Sequence, residues 1–304
     1  MEKFELHILG CGSALPTMRH FPTSQVLNVR DKLFMIDCGE GAQLQFRRHR
    51  LKFSRLGCIF ISHLHGDHCF GLLGLISTLS MLGRTAQLHI YSPKGLEELI
   101  GPMLRFFNRD MTYQVVFHEF DVKKAEVIYE DRSITVTTLP LKHRMPCSGF
   151  LFAEKPSLRH INREMVDFYQ VPVYELNRIR AGADFMTPEG VLVSNERLTR
   201  PGDAPRRYAY LSDTMPVPRL AAQIEGVDLL FHEATFAEDA APRARETYHS
   251  TARQAAEIAR LAAAKRLVIG HFSARYDDEN EILKQAREIY PKVELAAEGK
   301  KFVI

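Results

Sequence analysis

Apolar positions along the first forty residues fall in short blocks, FELHILGC, SQVLNV and KLFMIDCG, each closed by Gly, Pro or a charged residue, and this spacing predicts three strands. AQLQFRRHRLKF then reads as a basic helix. Arg47, Arg48, Arg50, Lys52 and Arg55 crowd nine positions, a density that suits a solvated helix face as well as a nucleic-acid patch. CIFISH is expected to be a strand ending at His63, and FGLLGLISTLSMLGR, with apolar residues three to four apart, a helix closing at Gly83. LHIYSP, YQVVFHEF and SITVTTLPL follow as strands. A second run of the same kind occupies the C-terminal part: RYAYLSD, VDLLFHEA, the helix STARQAAEIARLAAA and the strand RLVIGHF. Strand and helix alternating twice predict an α/β fold of two stacked halves of mixed sheet flanked by helices. No short fixed period recurs, which excludes a solenoid.

Between residues 153 and 207 the pattern breaks. The stretch is polar, punctuated by Pro and Gly, and offers one short helical piece, INREMVDFYQ. It is expected to be an inserted arm within a single domain spanning 1–304. Nine Lys/Arg against eight Asp/Glu leave the arm nearly neutral, so composition alone does not make it an RNA grip. The whole chain, at 304 residues and 45% apolar, can bury a large core, and its net charge of +3 selects no partner. Five scattered cysteines without a C-x-x-C indicate neither a disulfide framework nor a thiolate zinc site. The longest apolar run falls short of the roughly 20 residues of a membrane span, and the N-terminus enters a strand pattern directly. These features lead us to expect a reduced, unexported cytoplasmic protein with no membrane attachment.

The densest chemistry lies in ISHLHGDHCFGLLGL. In an extended segment alternate side chains share a face, so His63 and His65 can address one ion while Leu64 points away. After the turn at Gly66, Asp67 and His68 at the start of the next helix project back from the other side. Two ligand sets about one turn apart suit two ions rather than one. Imidazole with carboxylate and no thiolate favours Zn²⁺, with Mn²⁺ as the alternative. Completing two coordination spheres requires more donors at strand ends, and His143, Asp213 and His271 each stand where a predicted strand stops.

The ordered set H-x-H-x-D-H, then His143, Asp213 and His271, resembles the metallo-β-lactamase superfamily of αβ/βα hydrolases. DCGEGAQLQ, LKH, LSDT, HEATF and HST narrow the resemblance to the ribonuclease Z family, endonucleases that process tRNA 3′ ends. The resemblance implies an αβ/βα sandwich with a projecting arm. It implies two zinc ions per subunit, one on His63, His65 and His143, the other on Asp67, His68 and His271, with Asp213 bridging. Metal binding lowers the pKa of water from about 15.7 toward 7. Asp67 would take the proton of that water, and His249 of HST, oriented by Glu233 of HEATF, would protonate the leaving 3′ oxygen.

The implied substrate is precursor tRNA cut 3′ of the discriminator nucleotide, and the implied assembly a homodimer whose arm, through Arg178 and Arg180, contacts the tRNA. Two stretches depart from the family. PTMRHF replaces the P-T-K-x-R-N loop of many bacterial members, and the arm has no Gly-Pro pair. The rival expectations are a small-molecule phosphodiesterase, arylsulfatase-like enzyme or lactonase on the same fold, and a non-catalytic RNA-binding module.

Overall fold

A computed structural model describes residues 3–304. The strands are β1 (Phe4–Gly10), β2 (Ser24–Val29), β3 (Lys32–Cys38), β4 (Leu56–Phe60), β5 (Leu88–Pro93), β6 (Val115–Phe120), β7 (Val127–Glu130), β8 (Ile134–Pro140) and β9 (Ser148–Glu154). Four two-residue strands follow, β10 (His160–Ile161), β11 (Phe185–Met186), β12 (Leu192–Val193) and β13 (Thr199–Arg200). The series ends with β14 (Arg207–Leu211), β15 (Leu229–Glu233), β16 (Leu267–Gly270), β17 (Val293–Leu295) and β18 (Lys301–Val303). Two seven-stranded sheets result, in the orders β18-β1-β2-β3-β4-β5-β6 and β17-β16-β15-β14-β9-β8-β7. In each, a parallel run (β3 to β6, and β14 to β17) adjoins antiparallel strands. The expected αβ/βα sandwich of two mixed sheets is therefore present.

Aromatic side chains hold the sheets face to face. Phe34 of β3 and Phe60 of β4 meet Phe152 of β9 with ring centroids 6.3 and 5.4 Å apart, and Phe60 also meets Phe150 at 5.7 Å. All four rings are buried, at separations where edge-to-face pairs add to simple area burial. On the outer face of the first sheet, Leu72, Leu75, Ile76 and Leu79 of the helix Leu72–Met81 pack against Leu33, Met35, Ile59 and Ile61. The second sheet is covered by Ala252–Leu261, whose buried Ala252, Ala255, Ala256 and Ala259 permit close approach.

Several boundaries differ from the sequence pattern. β4 ends at Phe60 rather than His63; Ile61 donates to Tyr91 O, and the chain then leaves the sheet, which frees the following residues for the site. The expected helix from Phe70 begins at Leu72, after a separate turn Gly66–Cys69. Gly71 separates them. Its N–H donates to Cys38 O, and a Cβ there would lie 2.1 Å from Gly39 O, so only glycine lets the turn approach the end of β3. The basic helix stops at Arg48 because Leu51 N–H turns back to Phe46 O and Arg50 takes a left-handed φ of 54°. The helix Leu96–Phe107, with Pro102 inside it, fills a stretch between LHIYSP and YQVVFHEF for which the pattern predicts no element. No helix among the described residues is long and apolar enough to cross a membrane.

The chain divides into two units: 153–205 with 131–134, and the remaining residues, which form the sandwich. The smaller unit has its own core of Val166, Val171, Ile179, Phe185, Val193 and Leu198, around which run the short helices Arg163–Phe168, Leu176–Arg180 and Asn195–Leu198. Asn195 Nδ2, buried, ties them by donating to Ile179 O at 2.6 Å and Ala183 O at 2.7 Å. This is more structure than the polar sequence suggested.

The HST motif has a local physical basis. Thr251 caps Ala252–Leu261 through a capping box with Gln254, and its hydroxyl also donates to Glu238 at 2.7 Å. Ser250 Oγ donates to Thr214 O at 2.7 Å. The helix start thereby fixes the backbone that carries His249. Thr251→Ala is expected to lower stability by about 1–2 kcal/mol, read as a lower urea midpoint at unchanged m-value.

Candidate metal centre

Seven residues that the sequence separates by more than two hundred positions converge at the strand ends of the sandwich. The ring nitrogens of His63 (Nε2) and His143 (Nε2) lie 2.9 and 3.3 Å from His65 Nδ1, and the two Nε2 atoms lie 3.6 and 3.9 Å from Asp213 Oδ2. On the other side His271 Nε2 is 3.4 Å from Asp67 Oδ2 and 3.1 Å from Asp213 Oδ1. His68 Nε2 completes this set, 3.4 Å from Asp67 Oδ2 and 3.5 Å from Asp213 Oδ1. Asp213 thus turns one carboxylate oxygen to each set.

The proton positions follow from the far side of each ring. His143 Nδ1 faces the carbonyl of Tyr248 at 3.0 Å and must carry its proton there. His68 Nδ1 faces the buried Asp37 carboxylate at 2.8 Å. Thr235 Oγ1 donates to Glu233 at 2.8 Å, so it accepts from His271 Nδ1 at 2.9 Å. Each of these rings in its neutral form consequently presents an Nε2 lone pair to the others and to carboxylate oxygens. Converging lone pairs repel unless a cation lies between them. Two of the atoms concerned, His68 Nε2 and Asp213 Oδ1, are buried without a hydrogen-bond partner. The donor set therefore fits metal.

The electrostatics agree. Burial disfavours the charged form of His68, yet Asp213, Asp67 and Asp37 together hold its pKa well above the ordinary value. A proton there answers the same negative field that a cation would. Burial and the neighbouring His68 push His63 well below, which favours the neutral imidazole that a metal would require. Despite burial, His271 and His68 keep Asp213 ionised far below the carboxylate range. Positive φ values at Asp37 (53°) and His271 (63°) mark backbone held in the left-handed region to aim these side chains.

Beside the centre stands a second pair. His249 Nδ1 lies 3.0 Å from Glu233 Oε1, and its ring centroid is 5.0 Å from that of His143 and 5.4 Å from that of His271. Glu233 is fully buried and filled with donors: Thr214 N and Ser250 N on Oε1, Thr235 N and Oγ1 on Oε2. So saturated a carboxylate orients its neighbour rather than binding an ion. Burial alone would depress the His249 imidazolium, but the charge and hydrogen bond of Glu233, with Asp213 adding, push its pKa up to about 9. His249 opens, with His65, Asp67, His143, Asp213 and His271, into a cavity of about 690 Å³ also lined by Leu15, Phe70, Arg144, Arg243 and Arg275. That is within the range of roughly 300–1,000 Å³ for ligand clefts.

Asp37 escaped the sequence reading as a site residue, although DCGEG was noticed. A carboxylate at the end of a buried strand was the available signal. The PTMRHF loop is tied inward: His20 Nδ1 is 3.0 Å from Glu298 Oε2 and its Nε2 3.2 Å from Glu279 Oε1, while Met18 is fully exposed. Arg178 and Arg180 belong to the smaller unit. There Arg178 pairs with Glu175 at 3.1 Å and Arg180 Nε donates to Arg159 O at 3.3 Å.

Comparison with known proteins places this geometry. A family model described as "Anti-Pycsar protein Apyc1" matches residues 4–158, which end before Asp213, and one described as "Beta-lactamase superfamily domain" matches 197–272. Full-length similarity lies elsewhere. A ribonuclease Z of Bacteroides fragilis is 68% identical over 299 residues, covering 98% of both chains. That of Phocaeicola vulgatus is 62% identical over 304 residues, covering 100% of this chain and 98% of its own. The crystal structure of human tRNase Z, short form, superposes with a TM-score of 0.73 at 28% identity, covering 99% of each chain. Identity at this level over both halves, including the Glu233 and His249 segments beyond the first model's reach, means that the chain belongs to the ribonuclease Z family.

Proposed function

We propose that this protein is a zinc-dependent endoribonuclease that cuts precursor tRNA 3′ of the discriminator nucleotide, leaving a 3′-hydroxyl on the tRNA and a 5′-phosphate on the trailer. The observation that carries the reading is the coexistence of two converging ligand sets with a separate, carboxylate-oriented imidazole. Hydrolysis of an RNA phosphodiester needs a water activated at one face of phosphorus and a proton for the alkoxide leaving from the other. Two ions, held by His63, His65, His143 and Asp213 and by Asp67, His68, His271 and Asp213, would supply the acidified water and neutralise phosphate charge.

The chain's own groups do the rest. Asp67 Oδ2, at the inner edge of the centre, takes the proton released as water adds to phosphorus. His249, protonated through Glu233, turns its Nε2 to the 3′ oxygen and gives it a proton as the P–O3′ bond breaks. The electron pair of that bond ends on the 3′-hydroxyl. The buried Glu233 network prevents the ring from rotating away. The 153–207 segment serves as the tRNA-binding arm, with Arg178 and Arg180 its candidate contacts, in a cytoplasmic homodimer as the family resemblance implies.

His249→Ala should keep two metal ions per subunit by elemental analysis yet slow single-turnover cleavage by about 10²- to 10⁴-fold. Asp213→Ala should lose metal as well as activity. Wild-type cleavage by His249→Ala at every pH would remove the general-acid role. The pH profile carries its own sign. A raised pKa means that His249 is a competent acid below about 9 and fails as pH climbs through that value, earlier where bound cations pull it down. Glu233→Gln, lacking the charge partner, should move the alkaline fall of the rate to lower pH.

The arm can be tested by excision. Ser157 Oγ donates to Asp203 O at 3.1 Å, so a short Gly-Ser link can join the flanking chain without spanning a gap. The shortened enzyme should hydrolyse bis(p-nitrophenyl) phosphate at the wild-type rate while kcat/KM for precursor tRNA falls at least tenfold. Equal loss on both substrates would refute the binding role of the arm, and strong diester hydrolysis by the full chain with no tRNA cleavage would favour a small-molecule phosphodiesterase.

A further inference from the structure

The walls of the catalytic cavity differ in chemistry. Around His249 stand three arginines: Arg144, next to the ligand His143; Arg243, on the helix Ala241–Thr247 that leads into His249; and Arg275, four residues beyond His271. All three are exposed. Arg144 donates to Glu246 O at 2.7 Å, Arg243 pairs with Glu246 Oε2 at 2.6 Å, and Arg275 lies 5.0 Å over the Phe236 ring. A guanidinium has five N–H donors, so each retains several for phosphate. The wall supplied by residues 13–70 has no lysine or arginine; it includes Leu15, Pro16, Pro22, the exposed Glu40 and Phe70.

Phe70 is 73% exposed although it follows a buried helical turn. Its ring rests against Gly66, where a Cβ would come within 2.3 Å of it, and Gly66 separates His65 from Asp67. The ring thus stands at the edge of the metal centre. A large aromatic left in water at the mouth of a catalytic cavity adds nothing to the core and offers a π-face to a ligand.

We propose that Phe70 is the stacking platform for the base immediately 3′ of the scissile phosphate, so that RNA enters past the arginines beside His249 and leaves over Phe70. The inference rests on the tRNA-processing reading above. His249 protonates the oxygen that leaves, and that oxygen belongs to the upstream nucleotide, so the upstream strand lies on the His249 side. Its successive phosphates meet guanidinium groups there. The downstream nucleotide continues from the same phosphorus toward the other wall, where Glu40 repels phosphate and Phe70 accepts a base. Stacking tolerates any base, as a trailer of varied sequence requires.

The test compares wild type, Phe70→Ala and Phe70→Trp on one precursor tRNA in three forms: unmodified, abasic at the first trailer nucleotide, and abasic at the discriminator. On unmodified RNA, Phe70→Ala should lose roughly 5- to 150-fold in kcat/KM, and Phe70→Trp should restore most of it. The abasic trailer should cost wild type a similar factor and cost Phe70→Ala little more, because ring and base form one interaction. The abasic discriminator should cost both enzymes equally.

Wild-type kcat/KM in Phe70→Ala, multiplying effects with the abasic trailer, or absorption of the discriminator lesion instead would each overturn the assignment. So would an equal loss of bis(p-nitrophenyl) phosphate hydrolysis, which would mark a disturbed centre. Failure of wild type to cut precursor tRNA would overturn both this arrangement and the function beneath it, whereas cleavage by wild type with an indifferent Phe70→Ala would overturn the platform alone.

Discussion

Asp37 is the constraint on which both fold and centre depend. Its carboxylate is wholly buried between the sheets and accepts from Ser62 N at 2.7 Å, Ser62 Oγ at 2.8 Å and Tyr210 OH at 2.6 Å, with His68 Nδ1 at 2.8 Å. A carboxylate taken out of water without such partners costs several kcal/mol. Asp37 lies one residue before the end of β3 of the first sheet, whereas Tyr210 lies on β14 of the second, so the charge is satisfied only when the two sheets close in one register. The same closure sets the tautomer of His68 and brings Asp213, three residues after Tyr210, between the two ligand sets. Folding the sandwich and assembling the centre are one event. Ser62 Oγ and Ser212 Oγ, 3.0 Å apart, continue the same buried seam.

This explains what could be read in advance and what could not. His63, His65, Asp67 and His68 lie within six residues, so their joint purpose survives ignorance of the fold. His143, Asp213 and His271 each follow an apolar run that reads as a strand, and strand ends are where a sandwich presents its edge. Asp37 also closes an apolar run, but that sign does not say what it binds. Its donors come from 25, 31 and 173 residues away, and nothing near it distinguishes a network hub from a capping Asp. The core of the smaller unit was hidden for a related reason: Val166, Ile179, Phe185 and Leu198 keep no helical or strand period, so apolar residues that meet in space look scattered in a polar stretch. Three-residue strands such as β17 and β18 are too short to show a period at all.

The places where the chain departs from its family can be understood against the same frame. The loop PTMRHF lacks the lysine and places His20 at the position of the arginine, yet His20 is bound on both ring nitrogens by Glu298 and Glu279, and Phe21 N–H donates to Glu298 Oε1 at 2.9 Å. Hydrogen bonding to Glu298, acting against burial, raises the pKa of His20, which keeps the ring a donor to both carboxylates. The loop is anchored from within, and what it offers outward is Met18 and Leu15, with the exposed Arg19 paired to Glu279.

The loop carrying Leu15 and an exposed Phe70 share the wall that residues 13–70 give to the cavity, while Arg144, Arg243 and Arg275 share the wall given by the later part of the chain. The ligand sets need both halves, because Asp213 serves each, but the substrate meets them unequally. In the proposed arrangement, phosphate-rich RNA is drawn to one side by charge that salt would screen, and a single-stranded end is met on the other by surface that salt would not weaken. A site divided in this way tolerates change in its first loop without disturbing the converging His/Asp sets, since among the described residues no hydrogen bond to those sets or to the groups that orient them passes through residues 15–19.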